Sequence, residues 1–344
     1  MSSNNRPVRL ASIGVGNWGT MLAQAVKHSG VAEIGTCFAP TQAHCRVFAE
    51  RFGCRVSPSY DAILSDPTVE GILLATPNGL HRDQIEQAAR HGKHVYVEKP
   101  IALSVADAQA ATRCCAEHGV TLAVGHQSRR ETAIRQLKSL IESGELGQVV
   151  GAEANISTGK GLEQSPHDWR WNRAECPGGP LIQIGIHHID TLCFLLGPVT
   201  RVYGVQRRLV ASTEAEDATM TLLEFASGVI GHLSSHYVTA RAVDLRIMGT
   251  KANACYDRLL GIEIRRDTRE RVVRETLPLR ANDPLCEEIT EFAQCVRTGI
   301  RPEVGGEEAT HALAVVLAAV EANQCGSAVG VRDVIAGTPQ PETI

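Results

Sequence analysis

Val8-Arg9-Leu10-Ala11-Ser12-Ile13 runs directly into Gly14-Val15-Gly16-Asn17-Trp18-Gly19. The first six residues are an apolar β run. The next six fit G-x-G-x-x-G and open a helix expected over Trp18–His28. Strand, glycine turn and helix in that order give the pattern physical meaning. Gly14 permits a tight turn, Gly16 lets a pyrophosphate approach the backbone, and Gly19 lets helix and strand pack closely. The helix N-terminus then offers free N–H groups and the positive end of its dipole to phosphate. Asn17 and Trp18, inside the turn, count with the glycines as expected cofactor contacts. The alternative is a glycine-rich turn with no ligand.

Strand and helix patterns keep alternating to about residue 126. Strands are expected at Val31–Phe38, Gly71–Ala75, His94–Glu98 and Thr121–Gly125. Helices are expected at Thr41–Phe52, Leu80–His91 and Ser104–His118. Near-continuous apolar strands between helices mean a parallel sheet covered on both faces. After about residue 130 the pattern changes to one helix, Ala133–Ser143, and then strand-like runs joined by hairpin signals, such as Thr219–Phe225 and Val229–Ser235. That is a mostly antiparallel sheet, hence α+β. Helices return at Pro284–Arg297 and Glu307–Cys325. The expected domains are residues 1–128, for the dinucleotide, and 129–344, for substrate and self-association, with the last helices able to pack back on the first domain.

Composition narrows the function. The chain has 344 residues, 43% hydrophobic and 21% charged, with a formal charge of -4. That suits a globular protein of about two domains and offers no basic footprint for nucleic acid or an anionic membrane. No apolar run approaches the roughly 20 residues of a spanning helix. The polar start of the chain lacks a signal core. The 11 cysteines are scattered without a Cys-x-x-Cys. They read as thiols of a reducing cytoplasm, and no metal site is expected.

Three local features point to chemistry. Val95-Tyr96-Val97-Glu98-Lys99-Pro100 delivers a carboxylate and an amine to a strand's carboxyl end, where open α/β sheets bind ligands. A cis Lys99–Pro100 bond is expected there. The second strand ends Cys37-Phe38-Ala39-Pro40-Thr41. No carboxylate stands near Ala39 to take the ribose hydroxyls of NAD, so NADP is slightly favoured. His44 and Arg46 are near enough to meet a 2′-phosphate, or are ordinary exposed residues. Finally, Gln183, His187 and Asp190 lie at i, i+4 and i+7 of an otherwise apolar helix expected over residues 181–196. Buried polar groups need partners or a wet cavity, so the stripe is a site wall or a self-satisfied core network.

Taken together, the glycine turn, Glu98-Lys99-Pro100 and the Gly178-Gly179 to Gly185-x-His187-x-x-Asp190 segment resemble the glucose-fructose oxidoreductase / inositol dehydrogenase / MocA-like (Gfo/Idh/MocA) family. Thr76-Pro77-Asn78, His81, Gly144-Glu145-Leu146-Gly147 and Gly249-Thr250-Lys251-Ala252 also look like it. The resemblance implies an N-terminal Rossmann domain, a C-terminal domain with an open antiparallel sheet, and a homodimer or homotetramer. It implies NAD(P)-dependent hydride transfer at a CH–OH carbon of a sugar, cyclitol or related cyclic hydroxy compound. Alternatives are a dihydrodiol or aromatic-catabolism dehydrogenase, or a cofactor-sensing regulator without turnover. By the resemblance, Lys99 lies between nicotinamide and substrate, and His187 transfers the proton. Thr76, Asn78, His81, Glu98 and His126 border the cofactor or substrate. Gln183 stands where inositol dehydrogenase-like members have Asp. Gln183, Asp190, Trp169, Arg170 and His126 are the expected substrate contacts, with a packing corner the alternative for Trp169 and Arg170.

Overall fold

A computed structural model of the chain describes residues 6–165, 167–268 and 271–338. The polar residues 1–5 of the signal-peptide reading lie outside them. The first strands and helices follow the order β1 Val8–Ile13, α1 Asn17–Ser29, β2 Ala32–Phe38, α2 Gln42–Phe52, β3 Arg55–Val56, α3 Tyr60–Leu64, β4 Gly71–Leu74, α4 His81–Arg90, β5 His94–Glu98, α5 Val105–Glu117 and β6 Leu122–Gly125. Their six strands form one parallel sheet in the order β3-β2-β1-β4-β5-β6. Strand β4 is buried throughout, and β5 nearly so, as a sheet covered on both faces requires.

The second series is α6 Thr132–Glu142, β7 Val149–Ser157, α7 Lys160–Glu163, a π-helical turn at Leu181–Gly185, α8 Ile186–Leu196, β8 Val199–Arg207, β9 Ala218–Phe225, β10 Ile230–His236, β11 Ala242–Gly249, β12 Asn253–Asp257, β13 Gly261–Asp267 and β14 Val272–Leu277. Then come α9 Pro284–Thr298, α10 Gly306–Cys325, β15 Val329–Gly330 and α11 Val331–Ala336. Nine strands form a second sheet, β14-β13-β12-β11-β7-β10-β9-β8-β15. Its pairings are antiparallel except β10 with β7, which are parallel.

The chain divides into two compact units. One is the chain up to Gln127 with Asp283–Thr310; the other is Ser128–Asn282 with the chain from His311 onward. Helix α9 begins at an Asp283 cap that accepts from the Cys286 N–H, with Pro284 in the first turn. Its Ile289, Phe292 and Ala293 complete the core of Leu10, Leu22, Val26, Leu73 and Tyr96. In the second unit, strands β8 and β9 alternate buried and exposed residues. One face of that sheet is therefore covered by its own unit, and the other is open.

Candidate active site

In the first unit the strand order reverses between β1 and β4, so the carboxyl ends of β1, β4, β5 and β6 share one edge. That is where an open α/β sheet binds its ligand. The glycine turn leaves β1 here, and the Gly14 N–H donates to the Phe38 carbonyl at the end of β2 (2.9 Å). Each glycine has a separate reason. Gly14 has φ +91°, and a Cβ on it would lie 2.4 Å from the Ala75 carbonyl oxygen. A Cβ on Gly19 would lie 2.0 Å from the Gly14 oxygen. A Cβ on Gly16 would meet nothing within 4 Å. Two glycines are thus demanded by the fold, and the third faces open space at the N-terminus of α1. No side chain caps that helix, and its first turn carries no acid. Asn17 is exposed and Trp18 half-buried there.

After β4, Thr76 donates its hydroxyl to Gln84 Oε1 (2.6 Å), and Asn78 is buried at the start of a 3₁₀ turn. His81, expected among the cofactor contacts, has both ring nitrogens beside backbone carbonyls. It is 0% exposed, with Nδ1 2.7 Å from the Pro100 oxygen and Nε2 3.0 Å from the Thr76 oxygen. Burial pushes its pKa down, against those two carbonyls. His81 therefore holds the turn after β5 through the Pro100 carbonyl. The Lys99–Pro100 peptide is cis, as expected. Lys99 is half-buried. Glu98 is buried, its Oε1 against Gly125, and burial raises its pKa to about 7 while the Lys99 charge opposes the rise. His126, 1% exposed, follows β6. Beyond β2, residues Ala39, Pro40 and Thr41 carry no charge. His44 and Arg46 are exposed on α2.

The second unit carries the other residues. Segment 181–196 is not one α-helix. A π turn at Leu181–Gly185 precedes α8, a local widening often associated with functional sites. Ser235, on β10 and 0% exposed, lies within hydrogen-bonding distance of the Ile156 and Pro180 carbonyls (3.0 and 3.2 Å), clamping the start of the turn to the sheet. His187 is 6% exposed on α8. Its neighbour His188 is buried outright, and burial, with the Arg258 charge, lowers its pKa to about 4.

Asp190, expected at the substrate, is engaged by the protein itself. It is 1% exposed and receives two hydrogen bonds from the Arg129 guanidinium, 2.8 Å from Nε and 2.5 Å from Nη2. Gln183 is likewise engaged by the protein. Its Nε2 donates to the Arg170 carbonyl (2.8 Å), and its Oε1 accepts from the Tyr237 hydroxyl (2.5 Å). Trp169 and Arg170 lie in a 3₁₀ turn, Trp169–Trp171, capped by Asp168, whose Oδ1 accepts from the Arg170 N–H (3.0 Å). The Arg170 guanidinium sits 4.5 Å from the Trp169 ring centre. Arg129, Ser235 and Tyr237 were not visible as site residues in the sequence, since each acts on a partner distant along the chain. Among the described residues no group of His, Cys, Asp and Glu side chains converges as metal ligands.

Residues 8–126 match the model of the oxidoreductase family with an NAD-binding Rossmann fold, and residues 134–255 match the GFO/IDH/MocA C-terminal domain. The chain belongs to the Gfo/Idh/MocA family. Scyllo-inositol 2-dehydrogenase (NAD(+)) from Bacillus subtilis is 28% identical over 93% of this chain and 95% of its own. A 2,7-anhydro-N-acetylneuraminate hydratase from Mediterraneibacter gnavus is 30% identical over 72% of this chain. The chain spans 66% of that hydratase's length and 50% of an uncharacterized oxidoreductase from Streptococcus pneumoniae. Among solved structures, a candidate NADPH-dependent oxidoreductase from Desulfitobacterium hafniense superposes with a TM-score of 0.92 at 34% identity, covering 96% of this chain and 99% of that one. The open space at Gly16, beside an uncapped helix N-terminus, fits the pyrophosphate of the family's dinucleotide.

Proposed function

We propose that the protein is an NAD(P)-dependent oxidoreductase that exchanges a hydride with the carbinol or carbonyl carbon of a sugar, cyclitol or related cyclic hydroxy compound. The observation that carries this reading is Lys99, half-buried at the end of β5, two strands along from a glycine turn whose central glycine faces open space. The N–H groups of Gly14 to Gly19 would hold the pyrophosphate, Ala39 to Thr41 the adenosine ribose, and Asn78, Glu98 and His126 the nicotinamide end. With no carboxylate at Ala39, NADP is slightly favoured over NAD. When bound, the nicotinamide supplies the hydride acceptor or donor. The chain's own work is at the reacting oxygen. Lys99 hydrogen-bonds that oxygen and stabilises negative charge on it. His187 takes the carbinol proton in oxidation and returns it in reduction. Trp169 and Arg170 offer an aromatic face and a cation to a polyol or carboxylated sugar.

Turnover with a panel of polyols, sugars and sugar acids tests this. Lys99→Met and His187→Ala should each lower kcat by roughly 10²–10⁴-fold with little change in dinucleotide affinity. Unchanged turnover in either would remove that residue from the mechanism. One relative is named a hydratase, and adding or removing water changes no net oxidation state. The assay should therefore follow product as well as nicotinamide absorbance.

The open face of the second sheet supports self-association. Tyr203, Val205, Met220 and Leu222 are 37–58% exposed on it, with Tyr203 paired to Leu222 and Val205 to Met220 across β8 and β9. Ile230 on β10 extends the patch, at 64% exposed. A contiguous apolar patch of this kind marks an interface, and a closed symmetric dimer or tetramer is the form we propose. A monomer by light scattering at micromolar concentration would count against it.

A further inference from the structure

We infer that Gln183 is a positioning residue: its amide fixes the Trp169–Trp171 turn against the segment that carries His187. This rests on the reading of Trp169 and Arg170 as substrate contacts. The geometry is a two-ended clip. One end is the hydrogen bond from Nε2 to the Arg170 carbonyl, and the other is the Tyr237 hydroxyl on Oε1. Tyr237 is 5% exposed, and burial pushes its pKa up, so it stays a donor throughout the working range. Its ring meets Trp171 edge to face, with centres 6.0 Å apart. The Trp171 carbonyl accepts from Ala215, so the turn is also pinned from behind.

A carboxylate could not replace this amide. It could accept from Tyr237, but it has no hydrogen to give the Arg170 carbonyl, and the two oxygens would repel. An amide supplies one donor and one acceptor at the same atomic positions. The identity of residue 183 thus sets the position of the Trp169–Arg170 pair, and through it substrate affinity rather than proton transfer.

Gln183→Glu is the more selective variant, because it keeps shape and changes only the donor. As the neutral acid it can donate to the Arg170 carbonyl; as the carboxylate it cannot. Burial and the facing carbonyl favour the neutral acid, and the Tyr237 hydroxyl favours the carboxylate. The Tyr237 hydroxyl meets residue 183 directly, Cys176, Arg170 and Asp168 act on Tyr237, and His187 lies four residues on. Wild type carries the same set, so the difference between the two pH profiles isolates position 183. The KM of Gln183→Glu should match wild type at the acid end and rise roughly three- to tenfold toward the alkaline end, with kcat little changed. Acrylamide quenching of tryptophan fluorescence should rise over the same interval, as the carboxylate releases the turn. Gln183→Ala should show the raised KM and quenching at every pH. A Gln183→Ala protein with wild-type KM and quenching would overturn the proposal, as would a Gln183→Ala loss confined to kcat. If no panel compound is turned over by wild type, the oxidoreductase reading fails. Quenching still decides the clip in that case: a rise in Gln183→Ala supports it, and quenching equal to wild type ends it.

Discussion

The glycine turn of the first unit and the π turn and α8 of the second both fix polar groups in place, by opposite means. In the first, the backbone does it. Gly14 and Gly19 are fixed by carbonyl oxygens 2.4 and 2.0 Å from where a Cβ would stand, and Gly16 alone faces free space. In the second, side chains do it, in pairs whose members are far apart in the chain. Gln183 meets Tyr237 across 54 positions, and Asp190 meets Arg129 across 61. The first arrangement is written in a spacing of six residues. The second is written in partners that no local spacing reveals.

The comparison breaks most visibly at Asp190. If it belongs to the fold rather than to the substrate, Asp190→Ala leaves the Arg129 charge buried without its carboxylate. Losing one partner of such a pair costs about 3–5 kcal/mol. Thermal unfolding should show it as a large fall in Tm, and the double variant Arg129→Met/Asp190→Leu should recover much of it. A raised KM with unchanged Tm would return Asp190 to the substrate.

Next in size is a contrast inside the glycine turn. Gly19→Ala drives a methyl into the Gly14 carbonyl, and overpacking of that kind costs about 1–3 kcal/mol. Gly16→Ala meets no atom of the protein, so unliganded stability should not change. Dinucleotide affinity should instead fall by at least about tenfold, or ~1.4 kcal/mol, because the methyl occupies the space a phosphate needs. Equal fluorescence titrations for Gly16→Ala and wild type would sink the pyrophosphate assignment. Equal melting of Gly16→Ala and Gly19→Ala would erase the distinction between cradle and packing.

The same contrast explains what the sequence could disclose. Five of the parallel sheet's six strands were legible because they are apolar runs separated by helices with an amphipathic face. The expected ranges of β1 and β5 coincide with those observed. The second sheet's hairpins were legible through period-two alternation. Strands β3 and β15, two residues each, have no period to read. Helix α3, five residues capped by Ser59, is too short for one. The polar stripe was found, but its geometry was not: an apolar-all-round segment reads alike whether its first turn is π or α. Nor did spacing show that Gln183 and Asp190 were already engaged, because satisfaction of a buried polar group is a property of contacts, not of sequence distance. His81 shows the limit again, since its two carbonyl partners lie 5 and 19 positions away.

The smallest effect is a pH slope, and it has opposite signs in the two units. Glu98 has its pKa raised by burial from 4.5 to about 7, so the folded first unit holds a proton that the unfolded chain has already released. Its contribution is fully present below pH 4.5 and is lost as pH rises toward 7. His188 has its pKa lowered by burial, and by the Arg258 charge, from 6.5 to about 4. Here the unfolded chain takes the proton first, so the contribution is full above pH 6.5 and is lost as pH falls toward 4. Between these limits each group tilts stability by at most about 1.4 kcal/mol per pH unit, in opposing directions. Glu98→Gln should therefore gain stability relative to wild type as pH rises from about 5 to 7. His188→Gln should gain relative to wild type as pH falls over the same interval. Urea unfolding at several pH values reads both differences. If both variants shift with the same sign, at least one of the two groups does not have the protonation state its surroundings impose, and the contrast between a proton held at the end of β5 and a proton excluded from α8 would not stand.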